Sequence, residues 1–201
     1  MKVAVFGAAG RTGRRVAEEL VRRGHDVRSV TRRPVGGLPG DEVVLDATDE
    51  ARVRAFVAGM DAVVNAAASG RGNPAGSTLA RAASGARDGL RYVTVGGAAV
   101  DAPGDRKGAP DKVVSWLART LTGPVVLDRQ AELDRLRAGG HGLRWTMVRP
   151  PRLTEAAARG AWRLTLDKPA STQIARADLA RAVADLVEGR AHEGEAPFVA
   201  W

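Results

Sequence analysis

The sequence predicts an α/β domain, a doubly wound parallel sheet with helices on both faces. Three observations lead there. An apolar run, Lys2-Val3-Ala4-Val5-Phe6, meets a glycine turn, Gly7-Ala8-Ala9-Gly10-Arg11-Thr12-Gly13, and then a segment whose apolar residues Val16, Ala17, Leu20 and Val21 fall at helical spacing. Strand and helix signals alternate along the rest of the chain with a regularity that implies parallel pairing. The 201 residues, 44% of them hydrophobic, suffice for one good core but not for a second full domain, so 1–201 reads as a single domain.

In the opening turn, glycine permits positive φ and lets the backbone come close to a ligand. The helix that follows offers free N–H groups and a partial positive charge at its N-terminus. A pyrophosphate suits this geometry; the plainer alternative is a turn that only serves helix–strand packing. The spacing is G-x-x-G-x-x-G, not the G-x-G-x-x-G of the dehydrogenase fingerprint. Gly24-His25-Asp26 then makes a turn, with His25 expected as a solvated loop residue, and 27–31 alternates as a second strand. That strand ends in Thr31-Arg32-Arg33-Pro34, and Arg32 lies about 20 residues past the glycines, where a dinucleotide fold meets the adenosine ribose. No carboxylate stands there. Arg32 and Arg33 would instead hold a 2′-phosphate through charge-assisted bonds of about 1.5–3 kcal/mol each, enough to favour NADP(H) over NAD(H). The alternative is a solvated pair at a strand end.

A glycine and proline linker at 35–40 leads to a third strand at 42–46. Thr48 or Asp49 can cap a helix over 50–58, and Asp46 falls where the adenine edge would lie, unless it only shapes the turn. A fourth strand at 62–68 carries small residues that suit backbone lying against a cofactor. A loop at 69–76, a helix at 77–87 and a fifth strand at 91–95 follow, ending in Gly96-Gly97-Ala98-Ala99. Residues 100–123 are the least regular, rich in Asp, Pro, Gly and Lys, with an amphipathic patch at Val113, Val114, Trp116, Leu117 and Leu121. They read equally as part of a substrate-loop region at about 98–126 or as a surface excursion in which Trp116 covers the core edge. The helix over 128–138 turns Arg129, Leu133 and Leu136 inward, and a sixth strand at 143–149 closes on Pro150-Pro151, with His141 in the turn between them. Short strands are expected at 161–166 and 171–174, in a small cap region at about 152–175. A final helix over 177–188 and a last strand at 196–201 complete the chain.

Composition excludes several classes of chemistry. Cysteine is absent, which removes disulfides, thiolate nucleophiles and cysteine metal sites, and the three histidines are scattered, so no metal is expected. No run is long enough to cross a bilayer and Met1 enters a strand directly, so neither a leader nor a membrane partner is expected and the cytoplasm is the default. A net charge of +8 and a pI near 11.0 invite a nucleic-acid partner. The basic residues are spread along the whole chain, however, and aromatics for base stacking are few, so none is expected. A small-molecule substrate is the expected partner, for a monomer or a homodimer; an exposed edge strand at Phe198 is a weak hint of pairing.

Four stretches in this order give the chain a resemblance. They are Val5-Phe6-Gly7-Ala8-Ala9-Gly10-Arg11-Thr12-Gly13; Leu45-Asp46-Ala47-Thr48-Asp49; Leu143-Arg144-Trp145-Thr146-Met147-Val148-Arg149-Pro150-Pro151; and Gly160-Ala161-Trp162-Arg163-Leu164-Thr165-Leu166-Asp167 followed by Ile174-Ala175-Arg176-Ala177-Asp178-Leu179. The chain resembles the atypical short-chain dehydrogenase/reductases, the NAD(P)-binding group that includes NmrA-like proteins and the biliverdin reductase B type of flavin reductase. The resemblance implies a Rossmann-type sheet, pyrophosphate at the glycine turn, NADP selection by the basic residues after the second strand, and nicotinamide beside the Pro-Pro loop. Arg11, Thr12, Arg32, Asp46, Ala66, Gly96 and Leu153 would then line the cofactor, NADP(H), with Gly7, Gly10, Gly13, Arg33, Ala47, Ala67 and Pro150 as their neighbours in the site.

The departures matter as much. The best-known branch uses a Tyr-x-x-x-Lys pair and a serine after the fifth strand. Here the tyrosine position falls on Val125, the lysine position on Arg129 and the serine position on Gly97, while the only tyrosine, Tyr92, lies inside a strand. Arg129 can hold a ribose but cannot donate a proton near neutral pH. Reduction of an acceptor that takes hydride without strong acid help is therefore expected, a flavin, quinone or conjugated metabolite, with Arg129 and Arg152 offsetting the negative charge that develops. Arg152 reads equally as a surface residue. The alternatives are a non-catalytic NADP(H)-binding sensor or a non-redox step in specialised metabolism.

Overall fold

Six parallel strands carry the molecule. The computed structural model describes residues 1–69, 73–106, 108–139 and 142–201, with 109–122 described as helix backbone only. Strands β1 (Lys2–Phe6), β2 (Asp26–Thr31), β3 (Asp41–Val44), β4 (Ala62–Asn65), β5 (Arg91–Val95) and β6 (Arg144–Val148) pair in the order β3-β2-β1-β4-β5-β6. Helices α1 (Arg11–Arg22), α2 (Glu50–Val57), α3 (Ala75–Ser84), α4 (Ala109–Arg137) and α5 (Arg176–Glu188) connect or flank them. Two small ribbons complete the fold: β7 (Arg152–Thr154) pairs in parallel with β9 (Gln173–Ala175), and β8 (Arg163–Thr165) pairs antiparallel with β10 (Phe198–Ala200). The expected Rossmann-type doubly wound sheet is present.

Alternation along the strands sorts the side chains into two cores. Ala4, Phe6, Val63 and Tyr92 face Leu79, Leu133 and Leu136 of α3 and α4, whereas Val3, Val5, Val64 and Val93 face Val16, Leu20, Leu179 and Val183 of α1 and α5. Val3 pairs with Val27 on one side and with Ala62 on the other, so the strand order reverses at β1, between β2 and β4. In open α/β sheets the crevice at such a reversal, beyond the carboxyl ends of the strands, is where ligands bind.

Several expectations are corrected. Residues 109–123, part of the stretch expected as irregular, belong to α4, which continues through Pro124. Glycine and proline suggested a loop, but Val113, Val114, Leu117 and Leu121 stand at helical spacing, and that periodicity wins although Pro124 lacks an amide donor. The expected place of Trp116 over the core edge falls outside the described side chains, and His141 outside the described residues. His25 is not a solvated loop residue: its side chain is 9% exposed and its Nε2 lies 2.9 Å from Glu188 Oε1. Phe198 is not on an exposed edge, because β10 pairs with β8 and the ring is fully buried under the Arg149 guanidinium. Asp49 is the cap of α2, accepting from the Arg52 amide at 3.1 Å. No helix among the described residues is long and apolar enough to cross a membrane.

The docking of α1 on α5 is tied by charge. Glu19 accepts from Arg22 and Arg23 at 2.7 and 2.8 Å, and Arg23 reaches across to Asp185 and Glu188 of α5, both at 2.8 Å. Hydrogen bonds from Arg22, working against burial and joined by those from Arg23, lower the Glu19 carboxyl from 4.5 to about 2. A folded-state pKa below the unfolded one contributes stability that is complete above the unfolded value and lost as pH falls through the folded value. Glu19→Gln should therefore lower stability at pH 7 by about 1–2 kcal/mol, discounted for solvent around Arg22, with the gap closing as pH falls from 4.5 towards 2. Urea unfolding of both proteins across that range checks this; a gap that does not change with pH would contradict it.

Candidate functional site

Three glycines close the turn after β1. Gly7 has φ +78°, and its N–H donates to the Val30 carbonyl of β2 at 3.1 Å. A Cβ there would lie 2.6 Å from the Ala66 oxygen and the Ala67 nitrogen, and one at Gly13 would lie 2.2 Å from the Gly7 oxygen. Gly13 is thus a packing glycine, whereas Gly7 brings the turn against the end of β4. Gly10 is the N-cap of α1, with no side-chain cap and no acidic residue in the first turn. The first-turn amides have no intrahelical acceptor, so they and the helix dipole present a positive end to the crevice. This cradle, which side chains would fill, fits a pyrophosphate.

Two cavities meet at this point. The smaller, about 220 Å³, is lined by Gly7, Gly10, Arg32, Leu45 and Ala47, among others. The larger, about 790 Å³, is lined by Thr12, Gly96, Gly97, Val125, Pro150 and Arg152, among others. Ala66, Ala67 and Ala68 line both. A dinucleotide laid across the glycine turn would put its adenosine in the smaller cavity and its nicotinamide in the larger. No Asp or Glu lines the larger cavity among the described residues. Val125 and Gly97, at the tyrosine and serine positions of the resemblance, both face it.

The remaining expected residues are distributed less simply. Asp46 accepts from the Thr48 amide and hydroxyl at 2.9 and 2.8 Å, and these bonds, opposed by burial and aided by Arg32, hold its carboxyl below the usual range. Its side chain shapes the turn while its neighbours Leu45 and Ala47 line the cavity. Arg33 is exposed outside the lining of both cavities, and Leu153 packs against the core beneath α1 and α5. Arg11 is open to solvent, its side chain 78% exposed and 3.9 Å from Glu155, which also binds Arg15 at 2.7 Å and Arg176 at 2.6 Å. Arg152 is exposed at the wall of the larger cavity, its backbone held by β9.

Arg129 reaches the larger cavity with its guanidinium already engaged. It donates to Glu132 at 2.5 Å, to the Ala67 carbonyl, and to the Thr94 hydroxyl at 3.4 Å. Glu132 has no exposed surface and accepts from Tyr92 at 2.7 Å and Asn65 at 2.9 Å. Burial and the neighbouring Glu132 push the Tyr92 phenol well above its usual range. One turn earlier, Asp128 accepts from the Gly76 amide at 2.8 Å and from the Ser77 hydroxyl at 2.6 Å, joining α4 to the start of α3. Sequence reasoning missed Asn65, Asp128 and Glu132. The available signal was charge on the inward stripe of a helix, Asp128, Arg129 and Glu132 beside Leu133 and Leu136, and one amide ending an apolar strand. Arg149 is a second buried anchor: it holds Asp105 through two bonds, of 2.7 and 2.8 Å, and the Val100 carbonyl at 3.0 Å, fixing the loop after β5 beside the larger cavity. No cluster of acidic and histidine side chains that could hold a metal ion occurs among the described residues.

Residues 7–190 match a family model described as NAD(P)H-binding. No curated protein matches the chain. Among solved structures it is similar to a candidate NADH-flavin reductase from Streptococcus pneumoniae, at 25% identity over 99% of this chain and 98% of that one, with a TM-score of 0.76. A candidate exported protein from Burkholderia pseudomallei is 28% identical over the full length of both chains, with a TM-score of 0.77. The anaerobillin reductase ChuY of Escherichia coli shares the fold at 18% identity, covering 99% of this chain and 96% of that one, with a TM-score of 0.79.

Gly7→Ala should place a methyl in the wall that both cavities share and force an unfavourable φ. We expect a lower melting temperature and at least about tenfold weaker dinucleotide binding, from strain and overpacking of about 1–3 kcal/mol. Gly97→Ala, with nothing within 4 Å of the added methyl, should leave the melting temperature unchanged. Thermal melts and fluorescence titration with NADPH check both; wild-type behaviour of Gly7→Ala would refute the close-approach argument.

Proposed function

The chain belongs to the NAD(P)H-binding family, and from that premise we propose that it is a NADPH-dependent reductase of an electron-poor acceptor, a flavin, quinone or conjugated metabolite. The observation that carries this reading is the pair of cavities joined at Ala66–Ala68, with Arg32 in the smaller and no side-chain acid in the larger. When bound, the nicotinamide supplies hydride. The chain's own residues do the rest: the first-turn amides of α1 hold the pyrophosphate, Arg32 pairs with a 2′-phosphate, and the wall at Ala66 and Ala67 orients the ligand. Pro150 and Gly96 bound the acceptor space, and Arg152 offsets the negative charge that forms on the acceptor. Arginine stays charged and cannot deliver a proton, so an acceptor whose reduced form tolerates that charge is favoured. The small-molecule acceptor is its partner, the cytoplasm its place of work, and monomer or homodimer its state.

The replacement of the tyrosine and serine positions by Val125 and Gly97 also supports a second reading, an NADP(H)-binding sensor without turnover. Mixing the protein with NADPH and a panel of FMN, FAD and menadione distinguishes the two. The reductase reading expects loss of nicotinamide absorbance with at least one acceptor; tight NADPH binding with no turnover on any would defeat it. Arg32→Glu should turn a preference for NADPH into one for NADH, a change of about tenfold or more in the ratio of affinities. An unchanged ratio would remove Arg32 from the site.

A further inference from the structure

The wall between the two cavities is gripped by a closed ring of hydrogen bonds. The Ala67 N–H donates to Asn65 Oδ1 at 3.1 Å; Asn65 Nδ2 donates to Glu132 at 2.9 Å; Arg129 donates to Glu132 at 2.5 Å and, through its other nitrogen, to the Ala67 carbonyl. Both backbone polar groups of Ala67 are therefore taken up inside the protein, and a ligand on this wall meets only its van der Waals surface. Glu132 has no exposed surface and Arg129 is 6% exposed, so two charges have been drawn out of water to hold one alanine. Such a pair adds little net stability, because desolvation offsets most of the attraction. What it does provide here is a fixed place for the Ala67 backbone beside the larger cavity, which Arg129 lines; the Asp128 carboxylate adds a further negative charge next to the same guanidinium. The arginine fork is needed, since a lysine ammonium is a point charge that cannot span a carboxylate and a separate carbonyl in the same way.

We propose that Arg129 and Glu132 are positioning residues, acting through Ala67 to fix a rigid wall against which the nicotinamide half of the dinucleotide lies. The proposal rests on the nicotinamide-cofactor reading above and assigns neither residue to proton transfer. It makes Glu132 sensitive to the redox state of the ligand. Its loss, with Asp128 remaining beside Arg129, removes one negative charge from near a ring that is cationic when oxidised and neutral when reduced.

The test is three affinities in wild type, Glu132→Gln and Arg129→Lys, for NADPH, NADP+ and 2′-phospho-ADP-ribose, which lacks the nicotinamide. Glu132→Gln should weaken NADP+ about tenfold relative to NADPH, with 2′-phospho-ADP-ribose within about twofold of wild type. Arg129→Lys, which keeps a charge opposite Glu132, should weaken both dinucleotides about tenfold relative to the fragment, and it carries the test if Glu132→Gln does not fold. An unchanged ratio of NADP+ to NADPH affinity in Glu132→Gln, or a fragment that weakens in step with the dinucleotides, overturns the proposal. Because the readout is binding, a wild type that binds NADPH but reduces nothing defeats the reductase reading and leaves this test in force.

Discussion

Everything at the carboxyl edge of the sheet depends on how closely Gly13 approaches the Gly7 carbonyl. A methyl on Gly13 would sit 2.2 Å from that oxygen, so α1 can begin where it does only because no side chain stands there. That contact sets the direction of α1 and points its uncapped first turn at the crevice. It also holds Gly7 at a positive φ, which presses the turn against Ala66 and Ala67 at the end of β4. The strand order reverses at β1, so two chain segments far apart in sequence become neighbours here. One glycine–glycine contact thus couples the first helix, the phosphate cradle and the wall shared by both cavities.

The arginine-rich composition is partly an internal device. Arg91 and Arg149 are fully buried, and each donates to backbone carbonyls from segments distant in sequence: Arg91 to Leu186 and Arg144, Arg149 to Ala196 and Val100. Burial pushes Arg91 down to about 10, still high enough to keep it charged at neutral pH. Arg149 adds a bidentate pair with Asp105 and stacks 3.9 Å over Phe198, which ties β10 and the loop after β5 to the end of β6. A guanidinium suits this use because its five donors can satisfy several carbonyls that helix and sheet ladders leave open. Asp178 does the converse with an acceptor. It takes the Arg159 and Gly160 amides and the Trp201 indole, at 2.8, 3.0 and 2.7 Å, and so fastens the last residue to the cap region.

The sheet was legible in the sequence because period-2 and period-3.6 patterns report which face of an element is buried. The glycine turn was legible because its steric demands are local. Periodicity says nothing about partners, however. It turned Arg129 inward without indicating Glu132, and it left His25 in a turn without indicating Glu188 on a helix more than 160 positions later. Composition misled at 109–123, where Asp, Pro, Gly and Lys suggested an irregular stretch although the apolar spacing was helical. The three-residue strand β7 escaped notice because Arg152-Leu153-Thr154 is too short to show alternation; its strand character comes from pairing with β9. Asp46 was open to two readings from the sequence, the adenine edge or a turn former, and its bonds from Thr48 show the turn-forming role, with its neighbours Leu45 and Ala47 lining the smaller cavity.

The fate of the only tyrosine bears directly on what chemistry the larger cavity can support. Tyr92 is fully buried, donates to Glu132 and has a phenol pushed far above its usual range, so it is a brace within the ring around Ala67 and not a reservoir of protons. At the positions the resemblance assigns, the lysine is replaced by Arg129, paired with Glu132 and close to Asp128, and the tyrosine and serine by Val125 and Gly97, whose side chains cannot donate. Such a cavity would raise the rate of the proposed reductase chiefly by holding the two reactants in register and by offering a cation at its rim, since its lining among the described residues holds hydroxyls but no carboxyl, imidazole or phenol. In the proposed reductase, selectivity therefore comes from the acceptor's own electron affinity and from its fit between Pro150, Gly96 and the Ala66–Ala67 wall.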